Sequence, residues 1–172
     1  MSRLELDLIV YDFDGVMTDN RALVFEDGRE AVFVNRSDGL AVKGMKKAGI
    51  AQIILSAEKN PVVTARGNKL GIPVLQGIED KKPALEKYLR ENKVDPSRAA
   101  YVGNEINDLG PMSLVAWRIC PADAHPEVKS AANVVLRAKG GYGVVRELWD
   151  LVKGAGPSLS TANATPSELI HE

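Results

Sequence analysis

Short runs rich in apolar and β-forming residues alternate along this chain with longer segments in which apolar residues recur every three or four positions. The runs at 6–11, 51–55, 73–75, 99–102, 116–119 and 133–135 are of strand length and predict β-strands. Segments 38–48, 60–70, 82–92, 108–115, 125–131 and 142–153 carry the helical period, and Pro61 and Pro83 stand near two helix starts, where a missing N–H costs little. Strands alternating with helices predict an α/β domain: a doubly wound, mostly parallel, Rossmann-like sheet. In such sheets ligands bind beyond the carboxyl ends of the strands. Asp12, Ser56 and Asn104, each just past a predicted strand, can therefore meet in one crevice.

Two regions break the alternation. Ala22-Leu23-Val24-Phe25 and Ala31-Val32-Phe33-Val34 flank Glu26-Asp27-Gly28-Arg29-Glu30, which predicts a β-hairpin insertion over 20–35 closed by a Gly-containing turn. From Gly154 onward the chain is rich in Gly, Ser, Thr, Ala and Pro. Such a segment cannot support a packed core, so 154–172 is expected to be a flexible tail after a domain spanning 1–153.

A chain of 172 residues fits one domain, and a domain of this size buries roughly 70% of the surface its unfolded chain exposes, enough to dispense with disulfides. The single cysteine, Cys120, has no partner for an intrachain disulfide and nothing marks it as a catalytic thiol. With no secretory leader, the expected location is the cytoplasm. The 22 basic residues nearly cancel 23 acidic ones without forming a basic block, which argues against a nucleic-acid partner. No apolar run approaches the ~20 residues a membrane helix requires.

The chemistry concentrates where Leu8-Ile9-Val10-Tyr11 empties into Asp12-Phe13-Asp14-Gly15. A carboxylate at the end of a buried strand costs free energy unless its charge is compensated, and a cation between Asp12 and Asp14 would compensate it. Gly15 allows a sharp turn where a ligand must approach the backbone. A bare D-x-D is most simply a strand and a polar turn; D-x-D-G-x-x-T-D is far more specific. Ser56, after Ile53-Ile54-Leu55, could donate to a phosphoryl oxygen, although a serine there is commonly only a turn former. Lys81 and Lys82 open a helix after Gln76-Gly77-Ile78-Glu79-Asp80 and could set an ammonium against a nucleophile and a phosphoryl group; first-turn lysines are also common on plain surfaces. In Gly103-Asn104-Glu105-Ile106-Asn107-Asp108 the Asn104 amide oxygen could coordinate Mg²⁺ with one negative charge fewer than a carboxylate. Glu105 or Asp108 could compensate, and Asp108 equally suits a solvated helix start. Neither His125 nor His171 has a setting that marks a ligand.

Together these motifs resemble the haloacid dehalogenase superfamily. The resemblance implies that Asp12 is the nucleophile, Asp14 the general acid and base, Ser56 the hydroxyl of the second motif and Lys81, rather than Lys82, the cation of the third. It also implies Mg²⁺ as cofactor, held by Asp12, the backbone carbonyl of Asp14 and Asn104, with Glu105 the rival of Asn104. Many relatives carry Asp at that position.

Ser56-Ala57-Glu58-Lys59-Asn60 with Arg66, Lys69 and Leu70-Gly71-Ile72, and Pro121-Ala122-Asp123-Ala124 with Gly140-Gly141-Tyr142-Gly143 and Arg146-Glu147, narrow the resemblance over 6–153 to the capless sugar-acid phosphatases. That branch implies a Mg-dependent phosphomonoesterase acting on an eight- or nine-carbon 3-deoxy-2-keto sugar-acid phosphate through an aspartyl-phosphate. Glu58, Arg66, Lys69, Gly140, Gly141 and Arg146 would contact the substrate. It further implies a homotetramer in which the hairpin of one subunit covers its neighbour's site in place of a cap domain, since a phosphoryl-enzyme needs shielding from water. Ala57-Glu58, where the octulosonate branch commonly shows G-R, leans toward nine-carbon acids. The same branch includes phosphatase-like domains attached to some acylneuraminate cytidylyltransferases. The alternative is thus a catalytically weak scaffold that tetramerises with, or supports, such an enzyme.

Overall fold

In the computed structural model, which describes residues 5–154, the elements run β1 (Leu8–Tyr11), β2 (Thr18–Val24), β3 (Glu30–Val34), α1 (Ser37–Lys47), β4 (Ala51–Leu55), α2 (Val62–Leu70), β5 (Val74–Leu75), α3 (Lys81–Glu91), β6 (Ala99–Val102), α4 (Leu109–Met112), β7 (Trp117–Cys120), α5 (Pro126–Ala131), β8 (Val134–Val135) and α6 (Val144–Val152). Short 3-10 turns occupy Pro96–Arg98 and Ile106–Asp108. Apart from Gly154, the expected tail lies outside the described residues.

Six strands form one sheet in the order β5-β4-β1-β6-β7-β8, every neighbouring pair parallel. With the hairpin set aside, these strands lie in chain order 3-2-1-4-5-6, the doubly wound arrangement, and the winding reverses between β1 and β6. A crevice opens at such a reversal, beyond the carboxyl ends of those two strands.

All four residues of β1 are buried, because a parallel sheet is covered on both faces. Alternation sends Leu8 and Val10 into a core with Leu85 and Leu89 of α3, while Ile9 and Tyr11 join Val42 and Met45 of α1 and Leu148 of α6. The buried Tyr11 hydroxyl donates to Gln52 Oε1 at 3.1 Å, and Gln52 donates in turn to the Val42 carbonyl at 3.1 Å. No polar tip is left stranded there.

Beyond small shifts at element ends, three differences from the sequence expectation bear on the site. Helix α6 begins at Val144 rather than 142, because Gly141 and Gly143 take φ of 74° and 96°, left-handed values that an α-helix excludes. Its first turn is capped from another helix: Asp38 of α1 accepts the Arg146 N–H at 3.2 Å. Burial pushes the Asp38 carboxyl up to about 6 while that N–H opposes the shift. The helix expected over 108–115 shrinks to α4, preceded by a 3-10 turn. Finally, β2 begins at Thr18 rather than Ala22, only four residues beyond Asp14, with a register shift between Thr18 and Ala22. Among the described residues no helix is long and apolar enough to cross a membrane.

Candidate active site

The site grows from the end of β1. Asp12 donates its N–H to the Val102 carbonyl at 2.9 Å, which ties the residue after β1 to the last residue of β6. Its Oδ1 accepts the Phe13 N–H at 2.7 Å and the Lys81 ammonium at 2.8 Å. Lys81 is placed by the start of α3, where the Asp80 side chain caps the helix by accepting the Lys82 N–H at 3.3 Å. Lys81 is only 2% exposed, whereas Lys82 faces outward.

A second carboxylate holds that ammonium from behind. Asp108 Oδ1 lies 2.8 Å from Lys81 Nζ and accepts the Tyr101 hydroxyl at 2.8 Å; its Oδ2 accepts the N–H groups of Asn104 and Glu105 at 2.9 and 3.1 Å. Both oxygens of this wholly buried side chain are occupied, so Asp108 is neither a solvated helix start nor free to meet a metal. Its inward turn shapes the 3-10 segment, and Gly103 must lack a side chain because a Cβ there would lie 2.5 Å from that of Asp108.

Each of these charges sets the others' protonation. Burial and the nearby Asp108 push the Asp12 carboxyl up to about 7, against the pull of Lys81. Burial by itself lowers the Lys81 pKa, but Asp12 and Asp108 outweigh it and raise it above the ordinary lysine value. Burial and Glu58 raise the Asp14 carboxyl, opposed by a hydrogen bond from Thr18.

A cavity of about 400 Å³ opens over this network, lined by Asp12, Asp14, Ser56, Glu58, Lys81 and Asn104 together with Asn20, Ala57, Lys59, Glu105 and Asn107. It is large enough for a small polar ligand. Ser56, buried at the end of β4, accepts the Glu58 N–H on its hydroxyl at 3.1 Å. Glu58 closes its own turn by accepting the N–H groups of Lys59 and Asn60 at 2.6 and 2.7 Å.

The donor chemistry fits a hard cation. The end of the Asn104 carboxamide faces the Asp14 carbonyl at 2.8 Å and Asp12 Oδ2 at 3.3 Å. With the amide nitrogen turned inward it donates to both. With its oxygen inward, three oxygens converge with no proton between them, the donor set Mg²⁺ takes alongside water. Among the described residues no three His, Cys, Asp or Glu side chains form a metal cluster. A cation here would therefore rely on one carboxylate, one amide and one backbone carbonyl.

Other residues expected at the substrate lie away from this cavity. Arg66 donates to the Asn35 carbonyl at 2.8 Å, Lys69 is exposed on α2, and Arg146 pairs with Asp150 at 3.1 Å. Gly140 and Gly141 press against the back of the loop that follows β1. A Cβ at Gly140 would lie 2.2 Å from the Gly15 carbonyl oxygen, and one at Gly141 would lie 2.5 Å from the Asp19 nitrogen. Gly141 donates to the Val16 carbonyl at 3.1 Å, and Asp123 accepts the Gly140 N–H at 2.9 Å. Sequence reasoning missed Thr18, Asn20, Asn107 and Tyr101. The Thr in D-x-D-G-x-x-T-D was the one available signal among them.

A family model described as haloacid dehalogenase-like hydrolase matches residues 43–148. The 3-deoxy-D-manno-octulosonate 8-phosphate phosphatase KdsC of Yersinia pestis is 34% identical over 156 residues, covering 90% of this chain and 83% of its own. A solved HAD family hydrolase from Streptomyces avermitilis superposes with a TM-score of 0.86 at 45% identity, over 90% of this chain and 88% of that one. The 3-deoxy-D-manno-octulosonate 8-phosphate phosphatase from Moraxella catarrhalis, solved in complex with magnesium ion, phosphate ion and KDO, gives 0.84 at 26% identity over 89% and 88%. On these grounds the chain belongs to the haloacid dehalogenase-like hydrolases, as a phosphatase of their capless, KdsC-like branch.

Proposed function

We propose that the protein hydrolyses the phosphate of a 3-deoxy-2-keto sugar acid, with 3-deoxy-D-manno-octulosonate 8-phosphate the first candidate, through an aspartyl-phosphate on Asp12. The observation that carries the reading is Asp12 beside Asp14 at the floor of the cavity, with the buried Lys81 fixed against the nucleophile. An Asp12 carboxylate oxygen forms a bond to phosphorus as the bond from phosphorus to the sugar oxygen breaks, and Asp14 supplies the proton to that oxygen. Water then attacks phosphorus, Asp14 takes its proton, and Asp12 and inorganic phosphate are released. Ser56 and Lys81 face charge on the phosphoryl oxygens. Asp12, the Asp14 carbonyl and Asn104 would hold Mg²⁺, which supplies Lewis-acid stabilisation of the same charge when bound.

The relatives named above favour the eight-carbon acid over the nine-carbon acids suggested by Ala57-Glu58. With Mg²⁺, kcat/KM for 3-deoxy-D-manno-octulosonate 8-phosphate is expected to exceed that for hexose 6-phosphates by about 100-fold, since polar contacts to the correct substrate are lost with the wrong one. A chelator removes the rate and Mg²⁺ restores it. A nine-carbon acid phosphate in the same panel would reverse the preference if turned over faster, and no rate above buffer on any sugar-acid phosphate would return the reading to a scaffold for a cytidylyltransferase.

Enclosure by further copies belongs to the same proposal. Alternation puts Leu23, Phe25 and Phe33 on one face of the hairpin, and Phe33 is 75% exposed, while Val32 and Val34 pack on the core. Among the described residues the cations that line the cavity are Lys59 and Lys81, and a neighbouring copy would bring Arg66, Lys69 or Arg146 to the substrate carboxylate. Phe33→Glu is expected to lower the mass measured by light scattering from tetramer to monomer and to cut kcat/KM by about tenfold while the chain stays folded, since this ring is not in the core. A fully active monomer would sink the tetrameric lid.

A further inference from the structure

We propose that Thr18 is a positioning residue: its hydroxyl can act on Asp14 only as a donor, and so fixes Asp14 Oδ1 and leaves Oδ2 as the oxygen that hands over the proton. The inference rests on the reading of Asp14 as proton donor. Thr18 is wholly buried at the start of β2. Its Oγ1 accepts the Gly15 N–H at 3.2 Å and the Asn20 N–H at 3.1 Å, and lies 3.4 Å from Asp14 Oδ1. A hydroxyl has two lone pairs and one proton. With both lone pairs met by backbone N–H groups, the one remaining interaction is donation, and Asp14 Oδ1 is the acceptor in reach.

The backbone is shaped to deliver both donors. Gly15 and Asn20 stand in the left-handed region at φ of 75° and 63°, and asparagine is among the few residues with a side chain that tolerate it. The register shift of the hairpin falls in the same stretch, between Thr18 and Ala22. An irregular strand start thus brings the Asn20 N–H back onto the Thr18 hydroxyl instead of onto β3.

The consequence lies on Asp14. Oδ1 is committed as an acceptor, whereas Oδ2 has no protein partner among the described residues, and the side chain lines the cavity. A proton on Oδ1 would face a hydroxyl with no free lone pair; a proton on Oδ2 faces the substrate. As the bond from phosphorus to the leaving oxygen breaks, the Oδ2–H bond breaks and its proton goes to that oxygen, leaving a carboxylate whose Oδ1 still accepts from Thr18.

The test exploits the leaving group. A sugar alkoxide needs a proton as it departs, whereas p-nitrophenolate does not, and kcat/KM reports the step in which either leaves. Thr18→Val is expected to lower kcat/KM about 10- to 100-fold for 3-deoxy-D-manno-octulosonate 8-phosphate and less than about 3-fold for p-nitrophenyl phosphate, a fraction of what a general acid supplies. Thr18→Ser, which keeps the hydroxyl, should stay within about 3-fold of wild type on both. Should Thr18→Val not fold, Thr18→Cys keeps the size with a weak donor and must show the same selective loss. Equal losses on the two substrates, or no loss on the sugar phosphate, would overturn the proposal. Asp14→Asn separates the two levels: if it too loses both substrates equally, the acid reading falls and takes this one with it. If Asp14→Asn is selective and the Thr18 variants are not, only the role of Thr18 falls.

Discussion

Asp12→Asn is expected to lose at least about 10⁴-fold in kcat on every phosphomonoester, the scale of loss when a nucleophile is removed. The substitution is nearly isosteric, and its carboxamide oxygen can still accept from Phe13 and Lys81, whose donors lie 2.7 and 2.8 Å from Asp12 Oδ1. What disappears is the anionic oxygen that forms the acyl phosphate in the proposed mechanism. The fold should tolerate the change, because the buried carboxylate it removes is the one that Asp108 and burial already push up to about 7. Phosphate release and urea denaturation, measured side by side, should therefore show catalysis lost and stability within about 1.5 kcal/mol of wild type. A variant that retained a large part of its rate would exclude Asp12 as the nucleophile.

Lys81→Met should fail in a different way, losing stability as well as rate. Methionine fills a similar volume but leaves Asp12 and Asp108 facing each other without the ammonium that lies 2.8 Å from both. Removing one partner from a buried ionic network costs about 3–5 kcal/mol, and proton uptake by Asp12 should keep the loss near the lower end. Asp108 retains three donors, so Asp12 is the group that responds. A carboxyl whose folded pKa exceeds its unfolded value gives up stability as pH rises through the folded pKa. Asp12 already stands at about 7 with Lys81 present and moves higher without it. The gap between wild type and variant is therefore expected to widen above pH 7 in chelator-containing buffer. Equal urea midpoints would show that Lys81 carries no part of the network, and a gap that narrowed with pH would place the responding group elsewhere.

The sheet was legible because β1 and β6 are buried throughout and read as unbroken apolar runs, and β4 is interrupted only by Gln52, so a mostly parallel α/β sheet followed from their alternation with helices. The floor of the site was legible for the same reason: Asp12, Ser56 and Asn104 each follow such a run. Asp108 was not, because an acidic residue near a helix start has the same local signature whether it faces water or holds a buried ammonium, and Lys81 lies 27 positions away. Tyr101 looked like any strand aromatic; its hydroxyl matters only because Asp108 folds back beneath it. Gly140 and Gly141 illustrate the converse. Their sequence suggests a loop open to a ligand, yet the space a side chain would need at either is filled by the backbone of Gly15, Thr18 and Asp19.

The central position of β1 also bears on how the molecule is made. It is the first strand among the described residues, and Leu8 pairs with Ala51 on one side and Ala99 on the other. The Asp12 N–H finds its acceptor only at Val102. Pairings across such sequence distances are slow to form, and a nascent chain ending before β6 exposes an apolar strand with an open edge. The Asp12 N–H therefore gains its anchor only once β6 has been made, and until then β1 must be kept from pairing with other chains.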